Sequence, residues 1–233
     1  MIATKATHVD VIRALTEEGW VIVEPRSELG VEHITNSRRR VLRSAITGGA
    51  DHTHLVDMDR VLHWTMTYPE ELERVAAEIP SHGFLIIGRT PRALATHPRN
   101  QSETETLANR VASLVLGREV DITAASRGIG REAAEVILQY SRGRFFDSDS
   151  EWPTILLCRS KISIDYLPVE GLEWETYLKR QTMALPDGRR VDLREYYESN
   201  PESWTYRLML AHRIARAALQ TRRELSYSTG SAS

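Results

Sequence analysis

The chain has one cysteine, Cys158, only three phenylalanines, and no excess of charge of either sign. A single thiol excludes an internal disulfide and suits a reducing compartment, where such a residue ordinarily serves as a small buried hydrophobe. A membrane-spanning helix needs about 20 consecutive apolar residues, and no stretch approaches that. The opening Met1-Ile2-Ala3-Thr4-Lys5 lacks the apolar core of a secretory signal. Thirty Lys+Arg against 32 Asp+Glu leave a net charge of -2, so nothing draws the chain as a whole toward nucleic acid. Clustered arginines can still build local anion sites. What is present is 233 residues at 41% hydrophobic content, enough for one sizeable core, and a soluble cytoplasmic protein is expected.

Helical and strand periods alternate. Val9, Ile12, Ala14 and Leu15 mark a short amphipathic helix, and after Gly19 the run Trp20-Val21-Ile22-Val23 reads as a strand. Asn36 suits the cap of a helix carrying Val41, Leu42, Ala45 and Ile46, which ends at Gly48-Gly49 and leads to a strand ending at Asp57. Pro69 opens a helix closed by Pro80, and Phe84-Leu85-Ile86-Ile87 is typical of a buried parallel strand. Residues 105–116 and 131–140 read as helices, and Thr154 to Leu157 and Ile162 to Tyr166 as strands. This pattern predicts an α/β fold with a mostly parallel sheet flanked by helices. Beyond Glu170 the chain turns polar and aromatic, with a turn at Pro186-Asp187-Gly188. Trp204 to Leu219 then forms a long helix expected to bury Leu208, Ala211, Ala215 and Leu219. The organisation expected is a main domain over 1–169, an extension over 170–225, and a tail over 226–233 disordered by composition.

The most informative segment is His54-Leu55-Val56-Asp57-Met58-Asp59-Arg60. Its apolar run breaks into two carboxylates one residue apart, at the carboxyl end of a strand, where open α/β sheets place their ligands. Two carboxylates within about 4 Å repel by up to ~4 kcal/mol at an effective dielectric near 20, so a partly buried pair needs a cation or a proton. A magnesium or manganese ion clamping a diphosphate would meet that need. The plainer alternative is a pair of solvated acids at a strand-to-loop junction.

Three other stretches carry possible chemistry. Thr123 to Gly130 looks like the glycine-rich dinucleotide turn of short-chain dehydrogenases, yet only 233 - 130 = 103 residues follow it and no Tyr-x-x-x-Lys spacing is among them. His52-Thr53-His54 resembles the His-x-His of zinc hydrolases, without partners at the expected spacing. Asp147-Ser148-Asp149-Ser150-Glu151-Trp152-Pro153 places three acids in what reads as a loop before a strand, where one of them would serve as general base or acceptor ligand.

Taken in order from about Val9 to Tyr166, these features resemble GT-A fold glycosyltransferases, the nucleotide-diphospho-sugar transferase superfamily, in its family-2-like form. The elements that carry the resemblance are the Asn36 to Ile46 helix with Arg38-Arg39-Arg40, the strand ending in Asp57-Met58-Asp59, the segment Asp121 to Ala134 and the acids Asp147 to Glu151. It implies a Rossmann-like three-layer fold with the C-terminal helix packed on it, and transfer of a sugar from a nucleotide-diphospho-sugar donor to an unidentified acceptor hydroxyl. By the same resemblance Asp59 would coordinate Mn or Mg, with Asp57 reaching the ribose or a metal-bound water. Arg60 and the Arg38 to Arg40 cluster, in particular Arg39 and Arg40, would offset diphosphate charge. Asp149 or Glu151 would be base or acceptor ligand, and Arg127 and Asp121 would lie on the acceptor side. Since the chain enters its first helix by about Thr7, the sheet opens with a compressed Ile2 to Thr4 strand, or that unit is missing or supplied otherwise. A homodimer is compatible with this reading. Two alternatives stay open: a short-chain-type NAD(P)-dependent oxidoreductase, and a non-catalytic binding module on the same fold.

Overall fold

The structure, a computed structural model, describes residues 2–4, 7–27, 31–175, 182–185 and 187–227. The chain opens with β1 (Ile2–Thr4), α1 (Val9–Glu17) and β2 (Val23–Ser27), the two strands pairing in parallel. The compressed first strand is therefore present, but it joins a small sheet of its own. The second strand starts later than its apolar run suggests, because Trp20 and Val21 face solvent.

The main sheet is built from β3 (His52–Leu55), β4 (Phe84–Arg89), β5 (Ser126–Gly130) and β6 (Ile164–Val169), in the order β3-β5-β4-β6. β5 runs antiparallel to both neighbours while β4 and β6 are parallel. The sheet is thus mixed, which corrects the expectation of a mostly parallel one. The cause lies in the connection: α5 (Pro91–Thr96) and α6 (Arg99–Leu116) return the chain to the edge where β4 ended. A short 3-10 turn at Ile122–Ala124 and the left-handed Ala125 (φ 58°) then feed β5 in from that edge. One edge consequently gathers the carboxyl ends of β3, β4 and β6 and the start of β5, the edge at which α/β sheets bind ligands.

Alternate residues of β4 enter cores on opposite faces, as strand geometry requires. Phe84 and Ile86 pack with Leu42, Ile129, Ile137 and Trp152, whereas Leu85 and Ile87 pack with Trp64, Val75, Ile79 and Leu172. The first face is covered by α2 (Ile34–Thr47), α7 (Arg131–Tyr140) and α8 (Ser148–Arg159), and the second by α3 (Met58–Thr67) and α4 (Pro69–Glu78). The helix α2 begins at Ile34, before Asn36, and its His33 side chain does not cap the helix.

Two further expectations change. Residues 148–159 form a helix, so the acids at Asp149 and Glu151 occupy a helical first turn rather than a loop, and Thr154 to Leu157 are not a strand. Negative charge there complements the helix dipole, and a short apolar run does not by itself tell strand from buried helix. Ser126-Arg127-Gly128-Ile129-Gly130 is a fully buried strand running directly into α7, so it does not form a dinucleotide turn. Gly128 is there for packing, since a Cβ would approach Ile79 Cγ1 to 2.8 Å.

After β6 the described chain forms the hairpin β7 (Thr182–Ala184) and β8 (Arg190–Asp192) with a turn at Asp187 and Gly188, and then α9 (Leu193–Ser199). Pro186 of the expected turn and residues 228–233 of the expected tail lie outside the described residues. The last helix, α10 (Pro201–Tyr227), does pack on the main core, but through Leu210, Ala211, Ile214 and Ala218. Leu208 and Leu219, expected inside, are 51% and 42% exposed, so the buried stripe is rotated from the one anticipated. Among the described residues no helix is long and apolar enough to cross a membrane.

Candidate functional site

A cavity of about 290 Å³ opens at the edge where β3, β4 and β6 end and β5 begins. Its walls include Asp57 before α3, Glu105 of α6 and Asp149 of α8, with Trp174 after β6. α10 closes it with Arg207 and Ile214. The wall contributed by α6 is unusual because its inward stripe, Gln101, Thr104, Glu105 and Asn109, is polar as well as buried. A buried polar stripe is costly unless its groups are answered, and here Glu105 and Asn109 meet charged partners while Thr104 donates to the Asn100 carbonyl.

Two buried ionic clusters floor the cavity. In one, Arg38 of α2 donates to Asp149 Oδ1 at 2.6 Å and to Ser148 Oγ at 2.9 Å, and its other nitrogen lies 4.0 Å from Asp57 Oδ1. That second nitrogen, Nη2, has no hydrogen-bond partner, although it is buried. In the other, Arg89 at the end of β4 grips Asp121 through Nε at 2.7 Å and Nη2 at 2.9 Å and reaches Glu105 at 2.7 Å. Asn109 adds a donor to Asp121 at 2.7 Å and accepts the backbone N–H groups of Ile122 and Thr123.

Arg127 lies between the clusters with backbone carbonyls as its acceptors, those of Ser126 at 2.6 Å, Ile122, and Asp149 at 3.5 Å. The Asp149 carbonyl is open to it because Pro153, four residues on, has no N–H to offer. Burial, opposed by Asp149 and Asp121 and joined by Arg38 and Arg89, lowers the Arg127 guanidinium to about 10. Burial likewise raises the Asp149 carboxyl, opposed by Arg38 and Arg127 and aided by Asp57. Asp121 shows the opposite balance: burial alone would raise it, but Arg89 holds it well below the usual carboxylate range.

The residues anticipated from sequence divide accordingly. Asp57, Arg60 and Asp149 meet at the cavity, and Arg127 lies buried beneath it. Asp57 sits at the N-cap of α3 without a side-chain cap bond, half-exposed at the cavity wall. Asp59 points elsewhere, exposed, with Oδ1 accepting from the N–H of Arg60 at 3.0 Å. Glu151 does not reach the cavity. It accepts from Ser141 Oγ at 2.6 Å and from the Arg142 and Gly143 N–H groups at 2.7 Å, fastening the loop after α7. Arg39 serves that loop too, donating to Ser141 Oγ and the Gly143 carbonyl. Arg40 lines a separate surface hollow with Arg43 and Thr47, and Asp121 is consumed by Arg89.

His54 is a core histidine, hydrogen-bonded to Ser126 Oγ at 3.0 Å and edge-on to Trp64, with its pKa lowered by burial to about 4. His52 is exposed, while the His54 ring is taken up by Ser126 and Trp64. Among the described residues no group of three or more His, Cys, Asp or Glu side chains is disposed to hold a metal. Sequence reasoning missed Arg89, Glu105, Trp174 and Arg207. A usable signal existed for Arg38, which shares the inward stripe of α2 with Thr35 and Leu42 at helical spacing. No protein-family model, curated protein or solved structure matches the chain.

Proposed function

We propose that the protein transfers a sugar from a nucleotide-diphospho-sugar to an acceptor hydroxyl in the cavity at the carboxyl edge of the sheet. The observation that supports this most is the placement of Asp149: a buried carboxylate with a raised pKa, on the cavity wall, sharing Arg38 with the half-exposed Asp57. A base of that kind takes a proton from a neutral hydroxyl more readily than a solvated carboxylate does.

Asp149 accepts the acceptor's proton as its oxygen bonds to the anomeric carbon. The bond from that carbon to the diphosphate breaks, and the electron pair leaves with the diphosphate. Arg60, whose Nη1 is oriented by the Leu172 carbonyl at 3.4 Å, and the open Nη2 of Arg38 offset the departing negative charge. Trp174 and Ile214 narrow the cavity and limit water, which would otherwise compete as acceptor.

Asp57 fits a divalent ion, since its carboxylate is free of capping duty and reaches both the cavity and solvent. One or two carboxylates suffice for magnesium or manganese when substrate phosphates complete the shell. Such an ion, when bound, neutralises charge on the diphosphate. The test is release of nucleoside diphosphate from a panel of nucleotide sugars with manganese. Activity that falls at least a hundredfold in Asp149→Asn while nucleotide affinity persists supports the reading, and activity that survives in that variant removes Asp149 as base.

A further inference from the structure

A second hollow of about 500 Å³ lies between α10 and the loop joining α7 to α8. Two arginines enter it from the loop, Arg142 and Arg144, and two from the helix, Arg213 and Arg216. Among the described residues, none of these four guanidiniums lies within 4.0 Å of a carboxylate. Four like charges around one hollow repel one another, and an anion placed among them relieves that repulsion.

Three carboxylates, Asp147, Glu151 and Glu224, line the same hollow against the four arginines, but none of them pairs with a guanidinium there. Glu151 is turned to the loop backbone, as described above. Asp147 accepts the N–H of Arg144 at 2.9 Å, and Glu224 accepts from Gln220 at 2.8 Å. The excess of positive charge extends inward to Arg39, whose pKa is lowered first by burial, then, against the pull of Glu151, by Arg142 and Arg43. The site is also ordered. The Arg213 guanidinium carbon lies 3.5 Å from the centroid of the Phe145 ring, and its Nε approaches Met209 Sδ at 3.2 Å. A planar guanidinium held over a ring keeps its remaining N–H groups aimed in fixed directions, the geometry that matches phosphate oxygens.

We propose that this groove binds a phosphate monoester or diphosphate, held by Arg213 and Arg216 from α10 and by Arg142 and Arg144 from the loop. The groove and the sheet-edge cavity use different residues of the same helix, so this proposal does not rest on the transferase reading.

The probe is inorganic pyrophosphate, titrated calorimetrically into the full chain in the presence of a chelator. Saturable binding is expected. Arg213→Gln/Arg216→Gln should weaken it about tenfold or more, the loss expected when charge-assisted hydrogen bonds are removed. Arg142→Gln/Arg144→Gln, on the exposed loop, should weaken it independently should the helix variant lose structure. Arg110→Gln, an exposed α6 arginine outside both hollows, should leave affinity unchanged. Co-sedimentation with phosphatidylcholine vesicles containing phosphatidic acid, lost in the helix variant, assigns a lipid phosphate. Pyrophosphate binding without vesicle binding assigns a soluble ester. No saturable binding, or binding that the groove variants retain, overturns the proposal.

Discussion

Arg38 on α2 and Asp149 on α8 form an ion pair at 2.6 Å with both side chains less than one-tenth exposed. Removing one partner of such a pair strands the other charge without water, at a cost of about 3–5 kcal/mol. Arg38→Met should therefore lower the urea midpoint by that equivalent, while Arg38→Met/Asp149→Leu should recover a large part of it. A single variant within about 1 kcal/mol of the natural chain would show that Asp149 does not depend on Arg38.

His54 predicts a pH dependence with a definite sign. Its folded pKa is lowered by burial from 6.5 to about 4. Above 6.5 the imidazole is neutral in both states and its contribution is complete. As pH falls below 6.5 the unfolded chain takes up a proton the folded chain refuses, and stability is lost until pH reaches about 4. His97, buried with Nε2 on the Leu172 carbonyl, has its pKa lowered by burial too and acts in the same direction. Denaturant titrations at pH 7 and pH 5.5 should differ by about 1 kcal/mol less in His54→Gln than in the natural chain. Identical differences would mean that His54 is solvated.

Gly171 packs its Cα against the Trp64 indole, and a Cβ there would fall 2.0 Å from Trp64 Cδ1. Trp64 cannot yield easily, since it is fully buried and donates to Glu71 at 3.0 Å. Gly171→Ala should destabilise by about 1–3 kcal/mol or more. A thermal midpoint unchanged by the substitution would show that the segment after β6 moves aside freely.

Removing α10 by ending the chain after Asn200 takes Leu210, Ala211, Ile214 and Ala218 out of the core and strips the Ser150 hydroxyl of its acceptor, the Ile214 carbonyl. Each leucine or isoleucine so exposed forfeits roughly 1.5–3 kcal/mol. The shortened chain should lose cooperative unfolding by near-ultraviolet circular dichroism. Retention of a sharp transition would make the helix an appendage.

Where one physical signal dominated, the sequence was readable: the β4 run, the Pro69 start of α4 and the 131–140 helix stand where expected. The antiparallel insertion of β5 was not, because strand direction is set by where α5 and α6 deliver the chain, a long-range property. The α8 segment misled for a local reason, its Ile155-Leu156-Leu157 run being compatible with strand or buried helix. At the site, Asp57, Arg60 and Asp149 were legible as charges beside apolar runs. Arg89 and Glu105 were not, because nothing in the sequence says that a charge at a strand end and one inside a helix 16 residues later will meet as a buried pair.

The most direct test of the transferase reading is calorimetric titration of a nucleoside diphosphate into the natural chain and into Asp57→Asn, each with manganese and with a chelator. Affinity should be at least about tenfold higher with manganese in the natural chain, with no such difference in Asp57→Asn. Equal affinity in manganese and chelator for the natural chain would contradict that reading.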